Sequence, residues 1–279
     1  MTAYVQKASL PPAPPPPAPA RRWSATRITG NVLMALWIVA GIWLLTYLGG
    51  RIGGDFLANY WQRYEDGVLT TLTLVGASMV IGAVISIPVA LARASRNALL
   101  AVPAFAYVYF FRGTPLIAQT FLIYYGSGSF QPLLKDAGLW WFFRDAWYCA
   151  IFAFSLNTSA YQAEILRGAI RNIDRGQWEA AKALGLGRLV TLRKIILPQA
   201  MIVALRPYGN ELILMIKGSA IASIITIYDI MGVTGRSFSR TYDFQAYIWA
   251  AVLYLLIVET LRRIWDQLEK RLTRHLVRR

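Results

Sequence analysis

Residues 174–198 read DRGQWEAAKALGLGRLVTLRKIILP. Asp174 followed by Gln177 predicts a capped helix start, an acceptor for the first free N–H groups with a side chain reaching back. Trp178, Ala180, Ala181, Lys182 and Ala183 continue the helix. Gly185 fits a left-handed C-terminal stop, where a Cβ is disfavoured. Arg188 to Leu197 restarts as an amphipathic helix, and Pro198 marks entry to the next segment. The stretch is polar and basic, yet it lies between two long apolar runs. That pattern predicts a chain that crosses a membrane on either side of a compact polar knob. Taken alone, the knob is either a docking element, with Glu179 available for a charge-assisted bond, or a capped surface helix between two spans.

Composition agrees with the membrane reading. Of 279 residues 56% are apolar and only 15% charged, with a mean hydropathy of +0.43. A soluble domain carries more charge. The net charge of +15 sits mainly in segments flanking apolar runs. That is the positive-inside pattern and not a phosphate-binding face, so no nucleic-acid partner is expected. The single cysteine, Cys149, excludes an internal disulfide and any multi-thiolate metal site. The single histidine, His275, leaves no material for a histidine metal cluster or Ser-His-Asp chemistry. No G-x-x-x-x-G-K-[ST] phosphate loop occurs. No catalytic residue, cofactor or metal is expected on this chain, so whatever energises it is supplied by another.

The chain begins with a Pro-rich tail over residues 1–30, in which LPPAPPPPAPA at 10–20 cannot form a helix. Residues 31–50 read as a first span, too long for a signal-peptide core and so an uncleaved anchor. Further spans are predicted at about Gly67–Ala92, Leu99–Gly126, Trp147–Leu166, Gln199–Ile227 and Ala246–Arg262, giving six in all. Each approaches or exceeds the roughly 20 residues that cross about 30 Å of hydrocarbon. Those at Leu99–Gly126 and Gln199–Ile227 are overlong and carry internal Gly/Pro interruptions.

Counting Lys and Arg sets the orientation. The basic residues crowd into the N-terminal tail, the Arg93/Arg96 connection, the loop from Arg167 to Lys194 and a basic tail at 269–279. The opposite side holds only Arg51, Arg63, Lys135, Arg144, Arg236 and Arg240. Both termini and the 174–198 loop are therefore expected in the cytoplasm. Tyr60, Trp61, Tyr64, Trp140, Trp141, Trp147, Tyr242, Tyr247 and Trp249 cluster where the interfaces should lie.

Three sequence blocks resemble a known family. Arg112-Gly113-Thr114-Pro115-Leu116 with Gln119 looks like its R-G-T-P-L-x-x-Q. Asn157 to Gly168 looks like its N-x-x-x-Y-x-x-E-x-x-R-G. Gly176-Gln177-Trp178-Glu179-Ala180-Ala181, with Leu197-Pro198-Gln199-Ala200, looks like its G-Q-x-E-A-A and L-P-Q-A. The family is that of the membrane permeases of ABC importers, in the polar-amino-acid branch that includes histidine, glutamine, arginine and opine systems. The resemblance, over about residues 64–268, implies an all-α type I (MetI-like) core of five helices preceded by one additional span. It implies that the 174–198 loop is the coupling helix, with Gln177, Trp178, Glu179, Ala180, Ala181 and Gly185 docking the ATPase. It also implies a bacterial inner-membrane complex of two permeases, identical or of a second Q type, two ATPases that hold ATP and Mg, and a periplasmic substrate-binding protein. Two departures stand out. The extra first span and Pro-rich tail are absent from many members. Lys217-Gly218-Ser219 stands where many carry K-D-T or K-D-S, a version more like M-type subunits.

Polar groups at bilayer depth normally face a bundle interior or a cavity. Asn157, Tyr161, Glu164 and Gly168 share one helical face. Thr114, before a proline, is pushed from helical geometry and starts a break, and Glu211 follows Pro207 and Gly209. Broken helices free backbone groups to bind solute. Thr114, Gln119, Asn157, Tyr161, Glu164 and Glu211 are therefore expected along a substrate pathway, with Lys217 nearby. An α-amino acid would give its ammonium to a glutamate and its carboxylate to backbone N–H groups or a lysine. The same residues also suit a packing role: buried Asn and Gln bond helices together at roughly 0.6–2 kcal/mol each, and Glu164 can pair with Arg167. Ser78, Gly82, Ser86 and Ala90 read as a small-residue packing stripe. An ion-driven secondary transporter is the alternative. It predicts inverted repeats, and none is visible.

Overall fold

A computed structural model describes residues 24–51 and 54–274. Most of the Pro-rich tail, His275 and the last arginines lie outside the described residues. The chain divides into two units, Met1–Leu57 and Ala58–Arg279. In the first, α1 (Ala25–Gly49) starts at Ser24, whose side chain accepts from the Arg27 N–H at 3.3 Å. Most of its apolar side chains are exposed, among them Leu36, Trp37 and Leu45, as suits a helix that faces lipid.

The second unit is a helical bundle, with no strand among the described residues. It comprises all but the first three residues of α2 (Asp55–Arg93), then α3 (Ala98–Gly113), α4 (Leu116–Gly128), the short α5 (Gln131–Asp136) and α6 (Trp140–Phe143), and α7 (Ala146–Arg171). After these come α8 (Arg175–Ala183), α9 (Arg188–Thr191), α10 (Leu197–Gly218), α11 (Ile230–Thr241) and α12 (Gln245–Leu272). The centre is α7, packed against α3, α4 and α10. Its small residues Ala150, Ala153, Ala160 and Ala163 are fully buried and let neighbouring backbones approach. On α2 the stripe Ser78, Gly82, Ser86 and Ala90 is buried while Leu69, Val80, Val84 and Ile87 face out. A methyl on Gly82 would sit 2.5 Å from Thr158 Cγ2, so the stripe is a close-packing seam against α7.

Two helices, α1 and α2, are long and apolar enough to cross a membrane alone. The number rises to four if each of two bent pairs counts as one span. One pair is α3 with α4, bent by 102°; the other joins the run Arg188–Ile225 to α11, bent by 50°. The six expected spans also count α7 and α12, which are 26 and 28 residues long and therefore long enough to cross, but less apolar. The buried face of α7 carries Ser155, Asn157, Thr158, Ser159 and Gln162, and the end of α12 carries Glu259, Arg262, Arg263 and Asp266. Helices sheltered by other helices need no apolar face toward lipid on those sides.

The two interruptions behave differently. At Thr114-Pro115 the expected break occurs, with Thr114 extended at φ −110° and ψ 146°. At Pro207, where an interruption was also expected, α10 runs on without a stop; a proline removes one internal hydrogen bond, and the tertiary setting carries the helix through. The chain instead changes course later, through a 3-10 segment Ser219–Ile225 that ends at Thr226 in left-handed geometry (φ 71°).

Candidate functional site

Pro115 has no N–H, so the Phe111 carbonyl four residues earlier loses its helical partner. Two side chains replace it. Asn157 Nδ2 donates to Phe111 O at 3.0 Å, and Gln119 Nε2 lies 2.9 Å from the same oxygen. Gln119 Nε2 also reaches Thr114 Oγ1 at 2.8 Å, while its own Oε1 accepts from Asn157 at 3.0 Å. Asn157 and Gln119, 7% and 3% exposed, are thus occupied in closing the backbone of the break. Their amide donors are all taken up by these bonds.

Glu211 is likewise buried. Its Oε1 accepts from Thr158 Oγ1 at 2.9 Å, and Gln162 Nε2 donates to Thr158 Oγ1 at 3.1 Å and to Met79 O at 3.2 Å. These bonds tie α2, α7 and α10 together. Lys217 is exposed near the end of α10 and makes no ion pair among the described residues. The structure does not bring it into the polar cluster.

The open face belongs to Arg112, Thr114, Tyr161, Glu164 and Gly168. Two cavities of about 520 and 530 Å³ share Arg112, Tyr161 and Glu164 in their walls. The first adds Thr114 and Arg93; the second adds Gly168 and Pro207. The Arg112 guanidinium lies 5.1 Å over the Tyr161 ring, a cation–π arrangement that leaves its N–H edge free. Glu164 is held by Arg93 Nε at 3.1 Å and by Arg167, with the Arg167 Nε bond at 2.9 Å. Two cations on one carboxylate leave it poorly placed to receive a solute ammonium. Arg93 and Arg112 are the residues that sequence reasoning passed over as functional. Arg93 was visible only as a flanking charge, and Arg112 only as part of a motif.

The second feature is α8. Asp174 caps it, accepting from the Gly176 N–H at 2.6 Å. Gln177 does not reach back as the capping pattern predicts; its Oε1 accepts from Gln199 on α10 at 3.2 Å. Gly185 has φ +72°. Its N–H donates to Lys182 O and the Leu186 N–H to Ala181 O, both at 3.0 Å, which is the Schellman pair. Trp178 and Ala181, three residues apart, form the inner edge: Ala181 is buried, and Trp178 packs with Ile173, Ile196 and Ala200. Glu179, Ala180 and Lys182 face out, joined by Leu184 and Leu189, each 76% exposed. Beyond α9 the backbone widens into a π turn, Leu192–Ile196, in which the Leu197 N–H donates to Leu192 O. Pro198 therefore falls in the first turn of α10 within one continuous path, not at a break.

An all-helical membrane protein with a proline-broken span, an open polar groove and a projecting basic knob is built as a transport component. This chain belongs to the family described as binding-protein-dependent transport system inner membrane component, which it matches over residues 82–274. It is 46% identical over 198 residues to the nopaline transport system permease protein NocM of Agrobacterium fabrum, covering 71% of this chain and 82% of the relative. It is 39% identical over 230 residues to the histidine/lysine/arginine/ornithine transport system permease protein HisM of Escherichia coli, covering 80% and 97%. A crystal structure of an amino acid ABC transporter with histidines superposes at a TM-score of 0.69 with 34% identity, over 78% of this chain and 98% of that one. The MetNI methionine ABC transporter shares the fold at a TM-score of 0.64 and 23% identity, over 76% and 97%. The all-helical type I, MetI-like architecture is therefore established, and the chain is a transport component.

Proposed function

We propose that this chain is the M-type permease subunit of an ATP-driven importer that carries polar amino acids or opines across a bacterial inner membrane. The observation that carries the reading is the 46% identity to a nopaline permease, reinforced by the histidine-bearing structural neighbour. ATP and Mg belong to a separate ATPase, which docks on the outer edge of α8 through Glu179, Ala180 and the exposed leucines. Trp178, Ala181 and Gln177 transmit its movement to the root of α7 and α10. In support, the inner edge is packed and the outer edge is not. Both termini and α8 lie in the cytoplasm, as the charge count favours.

Solute passes along the groove of Arg112, Thr114, Tyr161 and Glu164. Arginine and glutamate side chains open on one flank of a membrane subunit need a polar cover, and a second permease subunit supplies it. The pathway then runs between the two subunits. Glu164, latched to Arg93 and Arg167, acts on the groove through those cations.

The test is purification in mild detergent. An ATPase subunit should co-purify, and its hydrolysis should rise with substrate-loaded binding protein. A chain that purifies alone, with no nucleotide-dependent partner, contradicts the proposal.

A further inference from the structure

The end of the bundle opposite α8 carries a cluster that runs against the charge pattern of the rest of the chain. Arg93 at the end of α2 meets Glu164 near the root of α8. Arg63 lies thirty residues earlier on the same continuous helix, about 45 Å away at 1.5 Å per residue, and so at the outer end. There Arg63, Arg236 and Arg240 line a cavity of about 300 Å³ together with Asp66 and Tyr228. Three of the six basic residues on the sparsely charged side thus converge on one spot. All three are exposed, and none forms an ion pair among the described residues. Three guanidinium groups face a single carboxylate, so the rim is cationic where basic residues are otherwise avoided.

The arginines are also pre-positioned. Arg236 lies 4.9 Å over the Tyr228 ring and Arg63 lies 5.2 Å over the Tyr60 ring. Stacking fixes the plane of a guanidinium and leaves its edge to take a carboxylate through two parallel bonds. The cavity wall is mechanically connected as well. Asp229 accepts from the Gly232 N–H at 2.8 Å and from Tyr254 Oη at 3.3 Å, pinning the start of α11 to α12. α11 also packs on the 3-10 segment that continues α10. A partner seated on Arg236 and Arg240 therefore bears on α10, whose other end begins beside α8.

We infer that Arg63, Arg236 and Arg240 form a docking site for acidic side chains of the periplasmic binding protein. The inference rests on the importer reading above and adds which residues of this chain receive that partner. A family that depends on a binding protein requires a protein contact on its outer face. An arginine triad open to solvent, two of its members stacked on tyrosines, is complementary to a carboxylate-bearing lobe.

The test uses the full transporter in nanodiscs and the binding protein that stimulates the wild-type complex. Arg63→Glu, Arg236→Glu and Arg240→Glu combined should raise the half-maximal concentration of binding protein at least tenfold. Basal hydrolysis and complex recovery should be unchanged, and the corresponding Lys substitutions should lose less. In the wild type, poly-glutamate should compete with the binding protein. An unchanged half-maximal concentration in the triple variant overturns the site. So does a wild-type complex whose half-maximal concentration shifts equally when anionic lipid is removed, because the triad would then serve a lipid headgroup. If no loaded binding protein stimulates the wild type, the importer reading itself fails.

Discussion

The proline at 115 shows how one residue sets the chemistry around it. Losing its N–H orphans the Phe111 carbonyl, and a buried unsatisfied carbonyl costs about 1–3 kcal/mol. Asn157→Ala removes the donor that α7 sends to that oxygen at 3.0 Å. It should lower stability in detergent by about 1–3 kcal/mol, read as a fall in the thermal unfolding midpoint; an unchanged midpoint would show that Gln119 alone closes the break. Glu164→Gln is expected to behave differently. The carboxylate is partly solvated, with 14% of its side chain exposed, so assembly should survive while uptake changes through the released Arg93 and Arg167. Unaltered transport would remove Glu164 from the pathway. The break was legible in the sequence, because helical geometry is disfavoured for a residue before proline. Which polar residues close it and which line the groove was not legible. Asn157 and Tyr161 share one helical face, yet the first is bonded to Phe111 and Gln119 at the break and the second lines the groove.

At the scale of elements, α8 was the most readable part of the chain. The C-terminal stop at Gly185 followed from one glycine placed after a helical run, and the hydrogen bonds around it confirm the geometry. A Cβ at Gly185 would touch nothing, so any cost of substitution lies in the backbone alone. Gly185→Val should strain the stop by about 1–2 kcal/mol, leave the chain in the membrane and reduce the ATPase recovered with it. Full recovery and normal uptake would speak against α8 as the docking element. Pro207 and Gly209 were misleading by the same local logic. A methyl on Gly209 would overlap the Trp265 indole, whose Nε1 donates to the Leu205 carbonyl at 2.7 Å. The glycine is there for close approach of Trp265 on α12, a distant contact that local pattern could not reveal. Gly209→Val should therefore destabilise by about 1–3 kcal/mol through overpacking, again read from thermal unfolding, whereas a mere flexible joint would tolerate it.

For the whole molecule, the sequence carried the class and the family but not the division of labour among helices. The apolar run at Trp147–Leu166 located α7 as a helix, but not its central place among the others, where its buried face carries Ser155, Thr158 and Gln162. The groove along Arg112, Tyr161 and Glu164 is open in the single chain and the outer edge of α8 is exposed; the proposed function covers the first with a second permease subunit and the second with an ATPase. The central claim is that movement delivered to α8 by a nucleotide-driven subunit opens that groove to solute. Its most direct test is uptake of radiolabelled arginine into proteoliposomes holding the purified complex. Binding protein is placed on the side of Arg63 and Arg236, and ATP on the side of Lys182. Uptake should require both, each on its own side. Uptake by this chain alone, driven by a proton or sodium gradient without nucleotide, would contradict the account.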